Sequence, residues 1–398
     1  MKQLELNNRK VAVIGCGFVG ATSAFGLMQS GLFSEMVLID ANTEKAEGEA
    51  MDISHGIPFA RPMKIYAGGY DDIMDAAIIV VTAGANQKPG ETRLDLVQKN
   101  VGIFKSIIPE IAKRDYQGIL LIVSNPVDIL TYTAHKLSGM PENRVIGSGT
   151  VLDTARLKYE LGEHLGVDSR SVHAFIIGEH GDSEIAAWSS ANVSGIPLNT
   201  FCEMRGHFNH DDSMERIAAN VRNSAYEIIA KKNATYYGIA MSVKRICEAI
   251  VRDEKSILPV SGMIHGMYGV EDVVLSMPAI VGKNGIERQV PISLDEDEQK
   301  QLQKSAQILK EMAEQGTGFC LDGEVPSWRI DSAELAAIAD WLEQQYQKEQ
   351  NVMEREPAFA EAKPGERTEP DPARSAETME RTSSGTLLPE KSGVIRTR

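Results

Sequence analysis

At 398 residues the chain is longer than the roughly 250 to 300 at which one hydrophobic core stops growing, so it has room for two lobes or for one compact body with a tail. Its 42% hydrophobic and 24% charged residues are those of an ordinary soluble globular protein and name no function. A formal net charge of −15, with no basic patch to offset it, argues against nucleic acid or an anionic membrane surface as a partner, since both repel an acidic protein.

The opening residues, MKQLELNNRK, lack the apolar run of a secretory signal, and no uninterrupted apolar stretch approaches about 18 residues. The expectation is a cytoplasmic protein that spans no membrane. Short β-branched runs then alternate with helical patterns from Lys10 onward: VAVIG at 11–15, MVLID at 36–40, IIVVTAG at 78–84, ILLIVSNP at 119–126 and VIGSGT at 145–150. That alternation predicts a parallel sheet wrapped by helices. Each run is apolar nearly throughout, as expected of strands buried on both faces. Residues 1–150 are therefore expected to form a doubly wound, Rossmann-type α/β domain that binds a nucleotide.

Residues 151–315 read as a mixed α+β second domain, with β-rich stretches VHAFIIG at 172–178 and VLSMPAIV at 274–281, the latter followed by a turn and QVPISL. Leu302, Ala306, Leu309 and Met312 fall at helical spacing within 297–314 and predict an amphipathic helix. Residues 316–350 form an extra segment with one helix at 331–347. It opens on an Asp-x-x-Glu capping signature and carries Leu335, Ile338, Leu342 and Tyr346 on one face. Residues 351–398 are rich in Pro, Glu, Arg and Ser and are expected to be disordered. Cys16, Cys202, Cys247 and Cys320 are scattered, with no Cys-x-x-Cys pair, which predicts reduced thiols and neither disulfides nor a metal site.

Gly15, Gly17 and Gly20 form Gly-x-Gly-x-x-Gly directly after the first strand and open a helix-compatible run. A lone glycine triplet is weak, but Asp40, at the end of the next strand, completes the arrangement. Glycines let the backbone turn and approach a pyrophosphate, which the free N–H groups of the helix N-terminus hold. The Asp40 carboxylate would accept hydrogen bonds from a ribose and repel a 2′-phosphate, so the expected cofactor is NAD rather than NADP.

Five stretches carry further chemistry: GANQKPGETRLDL at 84–96, SNPVD at 124–128, LDTAR at 152–156, IGEHGDS at 177–183 and KNATYYGIA at 232–240. Together, in order and spacing from about residue 8 to 315, they resemble the L-lactate and malate dehydrogenase family. The resemblance implies an NAD-dependent dehydrogenase that reduces a 2-keto acid. It implies His180 as proton donor and acceptor, Asp153 as the carboxylate that orients and charges it, and Arg156 as a two-pronged clamp on the substrate carboxylate. Asn125 would bind the substrate oxygen and abut the nicotinamide, and Thr235 would line the pocket. Arg93, in a segment (84–94) similar to the family's mobile loop, would close on the carbonyl and polarise it. The resemblance also implies cofactor contacts at Val19, Lys45, Tyr70, Gly84, Ala85, Ser106, Val123 and Ser148.

Gln87 stands where malate enzymes of this family place an Arg. A neutral amide accommodates the methyl of pyruvate and offers oxaloacetate no counter-charge. The expected reaction is thus the reduction of pyruvate to L-lactate, the last step of fermentative glycolysis. Malate or another 2-hydroxy acid remains the alternative within the family, and a silent NAD-binding sensor the alternative outside it. Bacterial members of the lactate branch often bind fructose 1,6-bisphosphate at a subunit interface through an Arg and a His. Here Lys158 and His173 stand at those places, Lys158 departing from the pattern. The resemblance further implies a symmetric homo-oligomer, a tetramer in this branch.

Overall fold

The first apolar run becomes the middle of a sheet. In the computed structural model, which describes residues 5–85 and 90–317, β1 (Asn7–Ile14) leads into α1 (Phe18–Ser30), β2 (Glu35–Ile39), α2 (Thr43–His55), β3 (Lys64–Ala67) and β4 (Ala76–Val81). Then come α3 (Arg93–Ala112), β5 (Ile119–Ile122), α4 (Val127–Ser138), β6 (Val145–Gly147) and α5 (Val151–Leu165). Short strands follow: β7 (Val172–His173), β8 (Ile176–Ile177), β9 (Ile185–Ala186), β10 (Asn192–Val193) and β11 (Ile196–Pro197). The described residues close with α6 (Leu198–Met204), α7 (His210–Lys232), α8 (Tyr237–Val251), β12 (Ser256–Met267), β13 (Val270–Gly282), β14 (Gly285–Gln289) and α9 (Glu296–Thr317).

Nine strands pair in the order β14-β13-β12-β6-β5-β4-β1-β2-β3. β1 to β6 are parallel, and β12 to β14 add antiparallel beyond β6. The strand order reverses between β1 and β4, the place where open α/β sheets bind ligands at the carboxyl ends of their strands. Alternation of side chains explains why the runs are apolar throughout. Ala12, Ile14, Ile79 and Val81 pack with α3 and α4 on one face, whereas Val11, Val13, Ile78 and Val80 pack with α1, α2 and α8 on the other. A third cluster, built on Leu157, Leu161, Leu165, Val172 and Ile176, holds α5, α6, α7 and the short strands together.

The Rossmann-type sheet and the α+β lobe are thus as expected, with instructive differences. The strands end at Ile39, Val81, Ile122 and Gly147, short of the apolar runs that announced them, and the leftover residues form loops at the sheet's carboxyl edge. β3 is short and half-exposed, and β12 carries Pro259 and Gly262, so neither showed a continuous apolar signal. The run 172–178 splits because β7 pairs with β10 while β8 pairs with β9, in separate sheets. The amphipathic helix near 297–314 is α9, burying Leu302, Ala306 and Leu309 with Met312 half-buried beside them. Among the described residues no helix is long and apolar enough to cross a membrane. Cys16, Cys202 and Cys247 are free and buried. The expected helix at 331–347, the tail at 351–398, Cys320 and Gln87 lie outside the described residues.

Candidate functional site

The glycine loop sits at the carboxyl end of β1. Gly15 takes a left-handed φ of +99°, and a Cβ there would strike the Ala83 backbone nitrogen at 2.5 Å. A Cβ on Gly20 would lie 1.8 Å from the Gly15 carbonyl oxygen, so glycine is what lets α1 press against the loop. Gly17 differs: a Cβ there would meet nothing within 4 Å. It caps α1 without a side-chain hydrogen bond, and the first turn holds no acidic residue. Uncapped N–H groups facing open space are suited to an anion such as a pyrophosphate.

Asp40 supports this loop directly. Its Oδ2 accepts from the Cys16 N–H at 2.6 Å and its Oδ1 from the Asn42 N–H at 2.9 Å. Each oxygen retains a further lone pair for a ribose hydroxyl. Val19 is half-buried on α1, and Lys45 is exposed in the first turn of α2. Tyr70 packs against the core with the Arg114 guanidinium 5.8 Å from its ring centre, and burial pushes its hydroxyl up to about 12. Gly84 and Ala85 follow β4, and Val123 and Ser148 are buried just past β5 and β6. Ser106, on α3, donates to the Ile103 carbonyl at 2.7 Å.

The edge loops are tied together by a residue the sequence reading missed. Asn100, fully buried on α3, accepts from the Ala85 N–H at 2.7 Å and donates to the Ala85 and Asn125 carbonyls at 3.2 and 2.7 Å. A buried amide with its oxygen and nitrogen both engaged joins the β4 loop to the β5 loop. Its signal was an Asn on the apolar face of LVQKNVGIF.

The second cluster converges from three segments. His180 lies in the loop between β8 and β9, Asp153 and Arg156 on α5, and Asp128 in the first turn of α4. The His180 Nδ1–H meets Asp153 Oδ2 at 2.5 Å, while the other oxygen, Oδ1, accepts from Arg156 Nη1 at 2.9 Å. A single carboxylate, 2% exposed, thus orients both cationic groups. The His180 backbone N–H donates to Asp128 Oδ2 at 2.8 Å, and Asp128 Oδ1 accepts from the Ser261 hydroxyl at 2.5 Å. Asp128, present in the SNPVD stretch but given no role there, holds the loop that carries His180.

Electrostatics follow from this packing. Burial works against a charged imidazole, but Asp153, with Asp128 and Glu184 adding to it, outweighs burial and raises His180 to about 9. Burial likewise opposes charge on Asp153, yet His180 and Arg156 hold it below the usual carboxylate range. At neutral pH the site therefore contains an imidazolium, a carboxylate and a guanidinium.

Arg93 is the first residue of α3 rather than part of a loop. Thr92 caps the helix, its hydroxyl accepting from the Asp95 N–H at 3.1 Å while Asp95 accepts from the Thr92 N–H at 2.9 Å. The Arg93 guanidinium pairs with the buried Glu179 and lies 3.8 Å from Asp182. Glu179 also accepts from the Ser183 hydroxyl, and Tyr226 donates to Asp182 at 2.9 Å. Arg93 thus meets the segment carrying His180. Asn125 is exposed at the same edge, and Thr235 is half-buried between α7 and α8. Lys158, half-buried on α5 with its pKa lowered by burial, and exposed His173 on β7 belong to elements that pack together.

Similarity to known proteins identifies the family. The model for the lactate/malate dehydrogenase NAD-binding domain matches residues 9–147, and that for the family's α/β C-terminal domain matches residues 150–320. An L-lactate dehydrogenase of Acetivibrio thermocellus is 56% identical over 304 residues, covering 76% of this chain and 96% of that protein. One from Thermoanaerobacterium saccharolyticum is 54% identical, covering 77% and 98%. Among solved structures, the minor L-lactate dehydrogenase of Enterococcus mundtii in its ligands-bound form superposes with a TM-score of 0.75 at 44% identity, covering 77% of this chain and 98% of that one. MGS-M5, a lactate dehydrogenase from a deep-sea metagenome library, gives 0.76 at 46%, covering 79% and 100%.

Proposed function

The chain belongs to the lactate and malate dehydrogenase family, and on that premise we propose that it catalyses the reversible NADH-dependent reduction of pyruvate to L-lactate. The observation that carries the reading is the buried Asp153 carboxylate shared between His180 and Arg156. It sets a proton donor and a carboxylate clamp on one support. The open cradle at Gly17, beside Asp40, fits NAD, whose reduced form supplies a hydride.

His180, charged at neutral pH, gives its proton to the carbonyl oxygen and takes it back in lactate oxidation. Arg156 commits Nη1 to Asp153 and keeps further N–H donors of its fork for the substrate carboxylate. Asn125 donates to the substrate oxygen and Thr235 lines the pocket. Arg93 exchanges its pairing with Glu179 for a place near the carbonyl, where its charge stabilises the developing oxyanion. Substrate choice falls to Gln87: kcat/KM favours pyruvate over oxaloacetate, and Gln87→Arg moves the ratio toward oxaloacetate by about 2 to 5 kcal/mol. Kinetics on a panel of 2-keto acids tests both, and an oxaloacetate preference in the unaltered enzyme overturns the reading.

We further assign residues 1–150 to cofactor binding and 151–315 to substrate binding. Lys158 and His173 are proposed to receive fructose 1,6-bisphosphate at a subunit contact of a homotetramer, in a cytoplasmic enzyme of fermentative glycolysis. A rate that does not change on adding the bisphosphate at neutral pH removes the activator site.

A further inference from the structure

A second acid shares the space of the proton donor. Glu184 follows His180 by one tight turn, closed by its own N–H on the Gly181 carbonyl at 3.1 Å, and is 6% exposed. One carboxylate oxygen of Glu184, one of Asp153 and a ring nitrogen of His180 all lie within 4.8 Å of one another. Two carboxyl groups buried this close to one imidazole titrate together rather than one at a time.

We propose that Glu184 is a positioning residue for the proton donor: with Asp153 it retains the proton on His180 and sets how far into alkaline solution pyruvate reduction persists. The proposal rests on the reading of His180 as the proton donor. The charged groups bearing on Glu184 are Asp153 and Arg156 from α5, Arg222 from α7 and His180 itself, with Asp128 of α4 acting on His180. Burial, then the Asp153 charge, raise Glu184 to about 8 despite the three cations. At neutral pH it is therefore the neutral member of the group. As the solution turns alkaline it ionises, and the new negative charge strengthens the hold on the His180 proton just where that proton would otherwise begin to leave.

The test follows the His180 ring directly, by NMR of the full-length protein labelled at histidine, titrated from pH 6 to 10. Two macroscopic inflections are expected, near 8 and near 9, belonging to the coupled Glu184 and His180 as a pair. In Glu184→Gln only one remains, and the alkaline limb of kcat/KM for pyruvate moves down by about half a pH unit or more. Glu184→Asp, which keeps a carboxyl, restores the second inflection. A single inflection in the unaltered protein overturns the proposal, as does an unmoved titration in a folded Glu184→Gln protein. An absence of pyruvate-dependent NADH oxidation with both inflections present overturns the enzymatic reading instead.

Discussion

Replacing Asp153 with Asn removes a buried negative charge while nearly preserving shape. In the unaltered protein His180 is raised from 6.5 to about 9, a change worth about 3 kcal/mol at 1.36 kcal/mol per pH unit. With the carboxylate gone, the ring falls back to about 6.5 or below, since burial now acts with less opposition. Pyruvate reduction needs the imidazolium. Asn keeps only one acceptor oxygen for His180 and Arg156, so some deficit in kcat/KM is expected at every pH. On top of it the Asp153→Asn deficit should grow by a further factor of roughly 30 between pH 5.5 and pH 8 and keep growing above it. The same shift has a stability consequence of definite sign. A raised histidine stabilises the fold fully below pH 6.5, and the contribution is lost as pH rises through about 9. Urea unfolding should show a steeper loss across the window in the unaltered protein than in the variant, where only the buried Glu184 still contributes one. Steady-state rates from pH 5.5 to 9 are the assay, and a deficit independent of pH refutes the reasoning.

Two other perturbations separate binding from folding. Gly17→Val places a side chain where nothing lies within 4 Å, so the melting temperature should hold while NADH affinity, read by nucleotide fluorescence, falls at least about tenfold. Unchanged affinity contradicts the cradle. Asn100→Ala leaves the Ala85 N–H and the Ala85 and Asn125 carbonyls without their buried partner and should cost about 1 to 3 kcal/mol in denaturant unfolding. A loss below about 0.5 kcal/mol would show that the two loops hold without it.

The parallel sheet was legible because Val11, Val13, Ile78 and Val80 alternate with equally apolar neighbours, a pattern only a doubly covered sheet demands. Cofactor geometry was legible because close approach forces glycine at positions 15 and 20. By contrast, Asn100, Asp128 and Glu184 were not identified as working parts. Each looks in sequence like an ordinary polar residue, and its meaning comes from distant partners: His180, 52 residues from Asp128, Asn125, 25 residues from Asn100, and Asp153 on α5 for Glu184. Arg93 was expected in a loop because the segment 84–94 resembles the family's mobile loop; the Thr92 and Asp95 capping pair makes it the start of α3. β12 escaped notice for a similar reason, since long antiparallel pairing with β13 tolerates the Pro259 and Gly262 that interrupt its pattern.

The central claim, hydride transfer to pyruvate with His180 as the proton donor, is tested most directly by following NADH absorbance with pyruvate in the full chain and in His180→Gln. Turnover in the unaltered enzyme is expected, with a loss of roughly 100-fold or more in the variant while its NADH affinity persists. No turnover in the unaltered protein at high concentration, or equal rates in the two, contradicts the account.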